Sequence, residues 1–209
     1  MFNLVAFMSE GPPNDNGLNL SANRNILLRC TSNHFDNIEI YTPKILRDMG
    51  LGQYVKEHEK LGLVNRNPGM NKIGFCAWRP KIMLLELEKM NDGDILIYRD
   101  SNIKKSGPLG IYDDIKNRAL DILKEIDFDF FVPRESKSVS LKQHTKNNVI
   151  KELGEDHPFV YDFPNLYSGL LVIIKKSKVS MELLHEWENA CLNDEWIDGN
   201  VYTKHHAGF

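Results

Sequence analysis

The run Ile95-Leu96-Ile97-Tyr98 is the strongest constraint on what this 209-residue chain can fold into. Four apolar residues follow the turn signal Asn91-Asp92-Gly93 and stop at Arg99-Asp100. Neighbouring residues of a strand face opposite sides of a sheet, so a strand with no polar alternation must be covered on both faces. The run predicts a central strand between two helical layers. Leu166 to Ile174 ends in a second such run, and strand-like and helix-like segments alternate along the chain. That order predicts an α/β fold with a mainly parallel central sheet flanked by helices.

Further strands are expected at Phe2 to Met8, Asn37 to Tyr41 and Phe128 to Val132. Helical spacing occupies 19–31, where Ile26, Leu27 and Cys30 share a face, and also 112–126 and 143–153. Thr42-Pro43 offers a cap and a first-turn proline for a short helix. Arg79-Pro80-Lys81 opens a helix through about Met90. Its apolar residues Ile82, Met83, Leu85, Leu87 and Met90 are too widely spread for one stripe, which predicts deep packing. Ser180 reads as the cap of the last helix, which carries Leu183, Leu184, Trp187 and Cys191. The polar, glycine-bearing stretch 50–69 reads as an irregular excursion.

With 42% hydrophobic and 26% charged residues the composition is that of a globular protein, not a disordered or membrane-embedded one. No apolar run reaches the length of a transmembrane segment. Met1 to Met8 has neither a basic leader nor a cleavage site, so a cytoplasmic location is the default expectation. Cys30, Cys76 and Cys191 lack paired metal spacing and read as reduced core thiols. A net charge of -3 gives no general attraction to nucleic acid, and Lys104-Lys105 and Lys175-Lys176 read as solvated pairs. Residues 1–209 read as one domain. The ending Lys204-His205-His206-Ala207-Gly208-Phe209 lacks a polar tail, as in a domain cut from a longer protein.

Ligands of open α/β sheets gather at the carboxyl ends of strands. There the central strand runs into Asp100-Ser101-Asn102, two oxygen-bearing side chains around a small residue. Hard cations such as Mg²⁺ or Mn²⁺ take oxygen ligands of this kind. Taken alone, the tripeptide is also an ordinary polar turn. The loop Phe7 to Pro13 leaves the first strand at the same edge, which makes Phe7 and Ser9 candidates for contact with a ligand.

Gly74-Phe75-Cys76-Ala77-Trp78-Arg79-Pro80-Lys81 and the segment that follows resemble a known family. The pattern Gly-x-x-x-Trp-[Lys/Arg]-Pro, a long helix, then Gly-Asp-x-[apolar]-x-Tyr-x-Asp is similar to that of polysaccharide-type glycosyltransferases with the GT-A fold. Its positions here are Gly74, Trp78, Arg79, Pro80, Gly93, Asp94, Tyr98 and Asp100. His144-Thr145-Lys146, Tyr167-Ser168-Gly169 and Glu186-Trp187 extend the resemblance over roughly 70–200. Two positions depart from it: Asn102 stands where the usual Asp-x-Asp has its second carboxylate, and His144 stands where Trp is common.

The resemblance implies a single-domain, Rossmann-like GT-A fold and transfer of a sugar from a nucleoside-diphosphate sugar, UDP-linked first, to a glycan or glycoconjugate hydroxyl. It implies Mn²⁺ or Mg²⁺ held by Asp100 and Asn102. His205, spaced from Gly208 like the late His-x-x-Gly of retaining enzymes related to glycogenin, is the third ligand, with His206 its alternative. Donor contacts fall to Phe7, Ser9, Trp78, Arg79, Asp100, Ser101, Lys146, Ser168 and Gly169. Arg79 suits a diphosphate because its guanidinium presents a planar fork of N–H donors. The catalytic base stays open among Asp162, Glu186, Glu188 and Asp198, with Glu186 and Glu188 reading as solvated helix charges. Two other functions remain. A nucleotidyltransferase would need a basic, glycine-rich loop after the first strand, and Ser9 to Gly17 contains no Lys or Arg. A sugar-nucleotide-binding module without catalysis fits the amide at Asn102.

Overall fold

The computed structural model describes residues 1–8, 24, 25, 27, 28, 31, 33–55, 77–100, 115–133, 147–152, 171–193 and 196. Five strands, β1 (Phe2–Phe7), β2 (Asn37–Tyr41), β3 (Ile95–Asp100), β4 (Phe130–Phe131) and β5 (Val172–Lys175), form one open sheet in the order β2-β1-β3-β5-β4. The helices are α1 (Pro43–Asp48), α2 (Trp78–Glu88), α3 (Ile115–Ile126), α4 (Asn147–Glu152) and α5 (Lys178–Leu192), with a 3₁₀ turn at Gly52–Val55. The protein is α/β, as its alternating pattern predicts.

The sheet is mixed rather than mainly parallel. β1 pairs in parallel with β2 and β3, whereas β5 runs antiparallel to both β3 and β4. Side-chain alternation sorts the core into two layers. Val5, Phe7, Leu96, Tyr98, Val172 and Ile174 pack with α2, α5 and the 3₁₀ turn on one face. Phe2, Leu4, Ala6, Ile95, Ile97 and Ile173 pack on the other with α3 and with Leu27, one of the helical residues at 24, 25, 27, 28 and 31. β3 is thus buried on both sides, which is why its sequence shows no polar alternation.

Local chemistry sets the element ends. Thr42 caps α1 by accepting the Ile45 N–H at 3.2 Å, with Pro43 in the first turn. Gly50 leaves α1 at a φ of 78°, and Gly93 precedes β3 at 87°, left-handed conformations that cost glycine little. The cap of α5 is Ser177, not Ser180. Ser180 sits three residues inside, where each serine accepts the other's backbone N–H in a capping box. Ser180 is also buried and donates its hydroxyl to the Lys175 carbonyl at 2.8 Å, so it joins strand and helix.

Other boundaries move for similar reasons. The expected strand Phe128 to Val132 contracts to two residues, because Asp127 turns left-handed at a φ of 49° and leaves Phe128 exposed. The start of the 50–69 excursion is packed rather than loose: Tyr54 and Val55 are buried in the core, and 56–69 lie outside the described residues. Of the expected 166–174 strand, residues 171–174 are described: Leu171 lies outside the strand, and β5 runs from Val172 to Lys175, one residue past the expected end. Helix α2 begins at Trp78, one residue before its expected start, and buries Ile82, Met83, Leu84 and Leu87 as its broad apolar surface predicts. Among the described residues, no helix is long and apolar enough to cross a membrane.

Two substitutions gauge these features. Ser177→Ala removes the α5 cap and is expected to cost about 1 kcal/mol. Ile97→Ala opens a cavity in a strand buried on both faces and is expected to cost about 2–5 kcal/mol. Urea midpoints with unchanged m-values measure both.

Candidate functional site

The chain moves from β1 outward to β2 and then crosses back to β3 on the far side of β1. This reversal makes the carboxyl ends of β1 and β3 a topological switch point, the position where open α/β sheets leave a crevice for ligands. Phe7 is the last residue of β1 and lies in register with Tyr41 of β2 and Asp100 of β3. The backbone therefore carries Asp100 to the switch point.

Helix α2 leads into β3 through the short turn 91–94, so it runs back along the sheet and starts at the same edge. Its first residue, Trp78, stacks on Phe7 with ring centroids 3.7 Å apart and planes 12° from parallel. Both rings are buried. Trp78 also meets Tyr98 at 6.2 Å in a tilted contact. The Arg79 guanidinium lies 5.3 Å from the Trp78 ring centre and 5.4 Å from that of Tyr98, within cation–π range. Arg79 Nε donates to the Tyr98 hydroxyl at 3.1 Å. The two aromatic rings and this hydrogen bond restrict the guanidinium, so less side-chain entropy is lost when it meets a ligand.

The structure thus brings together Phe7, Trp78, Arg79 and the strand end bearing Asp100. Ser9, Ser101, Asn102, Lys146, Ser168, Gly169 and His205 lie outside the described residues, as does the side chain of Asp100. The same holds for His206, Asp162 and Asp198. Among the described residues no group of three or more His, Cys, Asp and Glu is placed to hold a metal ion.

Two polar clusters with buried carboxylates lie on the α2 side of the sheet. Glu188 is not a solvated charge: it is 7% exposed. Its carboxylate accepts from the Tyr54 hydroxyl, lies 3.1 Å from Lys81 Nζ and has His185 Nδ1 at 3.5 Å. Lys81 Nζ also sits 5.7 Å from the Tyr54 ring centre. Burial pushes the Glu188 carboxyl up, but hydrogen bonds from Tyr54 and Lys81 and the lysine charge outweigh it and leave the group below the ordinary glutamate range. A carboxylate held in that state is a poor proton acceptor, unlike a base tuned toward neutrality. Glu186, two residues earlier, is exposed.

In the second cluster the Tyr41 hydroxyl donates to Glu86 at 2.6 Å, and Lys89 Nζ lies 2.6 Å from the same carboxylate oxygen. Glu86 is almost wholly enclosed. Helical spacing held the signal for both acids. Glu188 comes one turn after Leu184, and Glu86 follows Ile82 and Met83 by four and three residues, so both fall on buried faces.

Comparison with protein-family models, with curated proteins and with solved structures yields no match for this chain.

Burial, followed by the hydrogen bond and charge of the partner glutamate, raises the phenol pKa of Tyr41 and of Tyr54 above the ordinary tyrosine range. The folded protein therefore holds these protons more tightly than the unfolded chain. The stability they contribute is present in full below about pH 10 and is lost as pH rises through their folded values. The double variant Tyr41→Phe/Tyr54→Phe is expected to lose less stability than the parent between about pH 8 and about pH 11. Urea titrations at the two pH values measure the difference, and equal losses would contradict the assignment.

Proposed function

We propose that this protein is a metal-dependent glycosyltransferase that moves a sugar from a nucleoside-diphosphate sugar, UDP-linked first, to a glycan or glycoconjugate hydroxyl. The observation that carries the reading is the arrival of Asp100 at the switch point beside Phe7, where the first turn of α2 delivers Trp78 and Arg79. A GT-A fold is part of the proposal. The open α/β sheet is compatible with it, and the order of motifs from Gly74 to Trp187 supports it.

Breaking a glycosyl–phosphate bond leaves negative charge on a diphosphate, so the protein needs positive charge and N–H donors where that group departs. Asp100, the amide oxygen of Asn102 and the imidazole of His205 would hold Mn²⁺ or Mg²⁺, hard and borderline donors suited to such an ion. The bound cation would supply neutralisation of the leaving diphosphate. Arg79 adds charge-assisted hydrogen bonds from a guanidinium already oriented by Tyr98. Phe7 and Trp78 are buried against each other, so they hold the edge in shape while Arg79, only partly buried, remains within reach of a ligand.

A thermal-shift series with UDP and UDP-sugars tests this reading. Ligand at 100 times its dissociation constant is expected to stabilise the fold by about 2.7 kcal/mol. The effect should depend on Mn²⁺ and disappear with a chelator. Asp100→Ala should fold normally and lose the Mn²⁺-dependent part together with sugar transfer. Arg79→Gln should weaken UDP binding about tenfold, or ~1.4 kcal/mol. Transfer at parental rate by folded Asp100→Ala would remove the assignment. Tight UDP-sugar binding without transfer or donor hydrolysis would instead identify a binding module, the outcome that Asn102 favours.

A further inference from the structure

We infer that Tyr54, Lys81 and Glu188 form a positioning clamp for donor binding, which sets the first turn of α2 and with it Arg79 at the carboxyl edge of the sheet. The inference rests on the proposed donor site and ties that site to Glu188, far from Arg79 in the chain.

The geometry is that of a joint between three elements. Tyr54 belongs to the 3₁₀ turn, Lys81 to the first turn of α2 and Glu188 to the far half of α5. β5 runs opposite to β3, with Lys175 beside Ile95. Helix α5 therefore starts at the amino edge of β3 and climbs back toward α2's first turn. There a single carboxylate oxygen of Glu188 receives both the Tyr54 hydroxyl and the Lys81 ammonium.

Helical residues are about 100° apart around the axis, which places Lys81 and Arg79 on opposite flanks of Trp78. Trp78 is fixed to the sheet by its stack on Phe7. With Lys81 fixed to α5 as well, the turn is held at two points and cannot roll about the helix axis. A roll would carry Arg79 away from Tyr98 and from the strand end bearing Asp100.

Stability alone is a weak reason for this cluster. The cost of removing two charges from water commonly cancels their attraction, and apolar pairs of similar volume often serve the fold as well. The shared Glu188 oxygen ties Tyr54, Lys81 and α5 to one point, which a contact between apolar side chains would not do.

Glu188→Gln separates the clamp from its alternatives, because it keeps the side-chain shape, keeps Lys81 and removes one negative charge near an anion site. Calorimetric titration of the full chain with UDP in Mn²⁺ reads the result, alongside a melt. If the clamp acts through Arg79, Glu188→Gln weakens UDP binding about fivefold or more, and Arg79→Gln added to it costs much less than it does alone. Parental or tighter affinity overturns the inference, since loss of a nearby negative charge on its own would favour the anion. Full additivity with Arg79→Gln overturns it as well. Should Glu188→Gln fail to fold, Tyr54→Phe removes one hydroxyl and leaves the ion pair. The same titration then decides, with a smaller loss of about threefold expected and none overturning the inference. A parent protein that binds no nucleoside diphosphate at all overturns the transferase reading and this inference together. A binding-competent parent with unaffected variants overturns only the clamp.

Discussion

The double-sided burial of β3 is the constraint from which the rest of the structure follows. Ile95 and Ile97 need a cover on one side, Leu96 and Tyr98 on the other, and the chain supplies α3 with the helical residues near Leu27 to the first and α2 with α5 to the second. A strand so placed must be central, paired on both edges, and its carboxyl end must open onto whatever space the flanking connections leave. The position of Asp100 is thus a consequence of hydrophobic packing several residues earlier. The acid sits at an edge that the core has already fixed.

The same packing explains how a mostly apolar helix comes to lie beside polar chemistry. Trp78 is at once the first residue of α2 and a stacking partner for the last residue of β1. Arg79 is partly buried next to it and uses Tyr98, a core residue of β3, as a hydrogen-bond acceptor. Core and site share these side chains, so a change that loosens one disturbs the other. The buried acids Glu86 and Glu188 extend this pattern, since each is matched by a tyrosine from another element and by a lysine, Lys89 at the end of Glu86's own helix and Lys81 across from Glu188.

Much of the fold was readable in the sequence because the responsible forces are local or strongly periodic. Asn37 to Tyr41, the Thr42-Pro43 helix start and the apolar helix before β3 fall where capping and periodicity place them. Strand direction was not readable, because β5 has the same apolar pattern whether it runs with β3 or against it. The cap at Ser177 was missed because Ser177 and Ser180 are equivalent candidates until the Lys175 carbonyl claims the Ser180 hydroxyl. Phe128 to Val132 looked like a longer strand because five residues of β-type composition do not reveal a left-handed Asp127. At the site, Asp100, Trp78 and Arg79 stood out as motif positions. Glu188 did not, because its environment comes from residues far away in sequence.

That distance has a consequence for how the protein is made. Tyr54 and Glu188 are separated by 134 positions, and both must be present before their hydrogen bond can form. Contacts of such long range close late, after the entropy of the intervening chain has been overcome by nearer pairings. During synthesis from the amino end, β1, β2, α2 and β3 emerge well before α5, so the first turn of α2 has its aromatic anchor long before its ionic one. The carboxyl edge of the sheet therefore gains its aromatic contact before its ionic one. A chain interrupted before α5 lacks Glu188 and also the α5 cover over Leu96 and Tyr98.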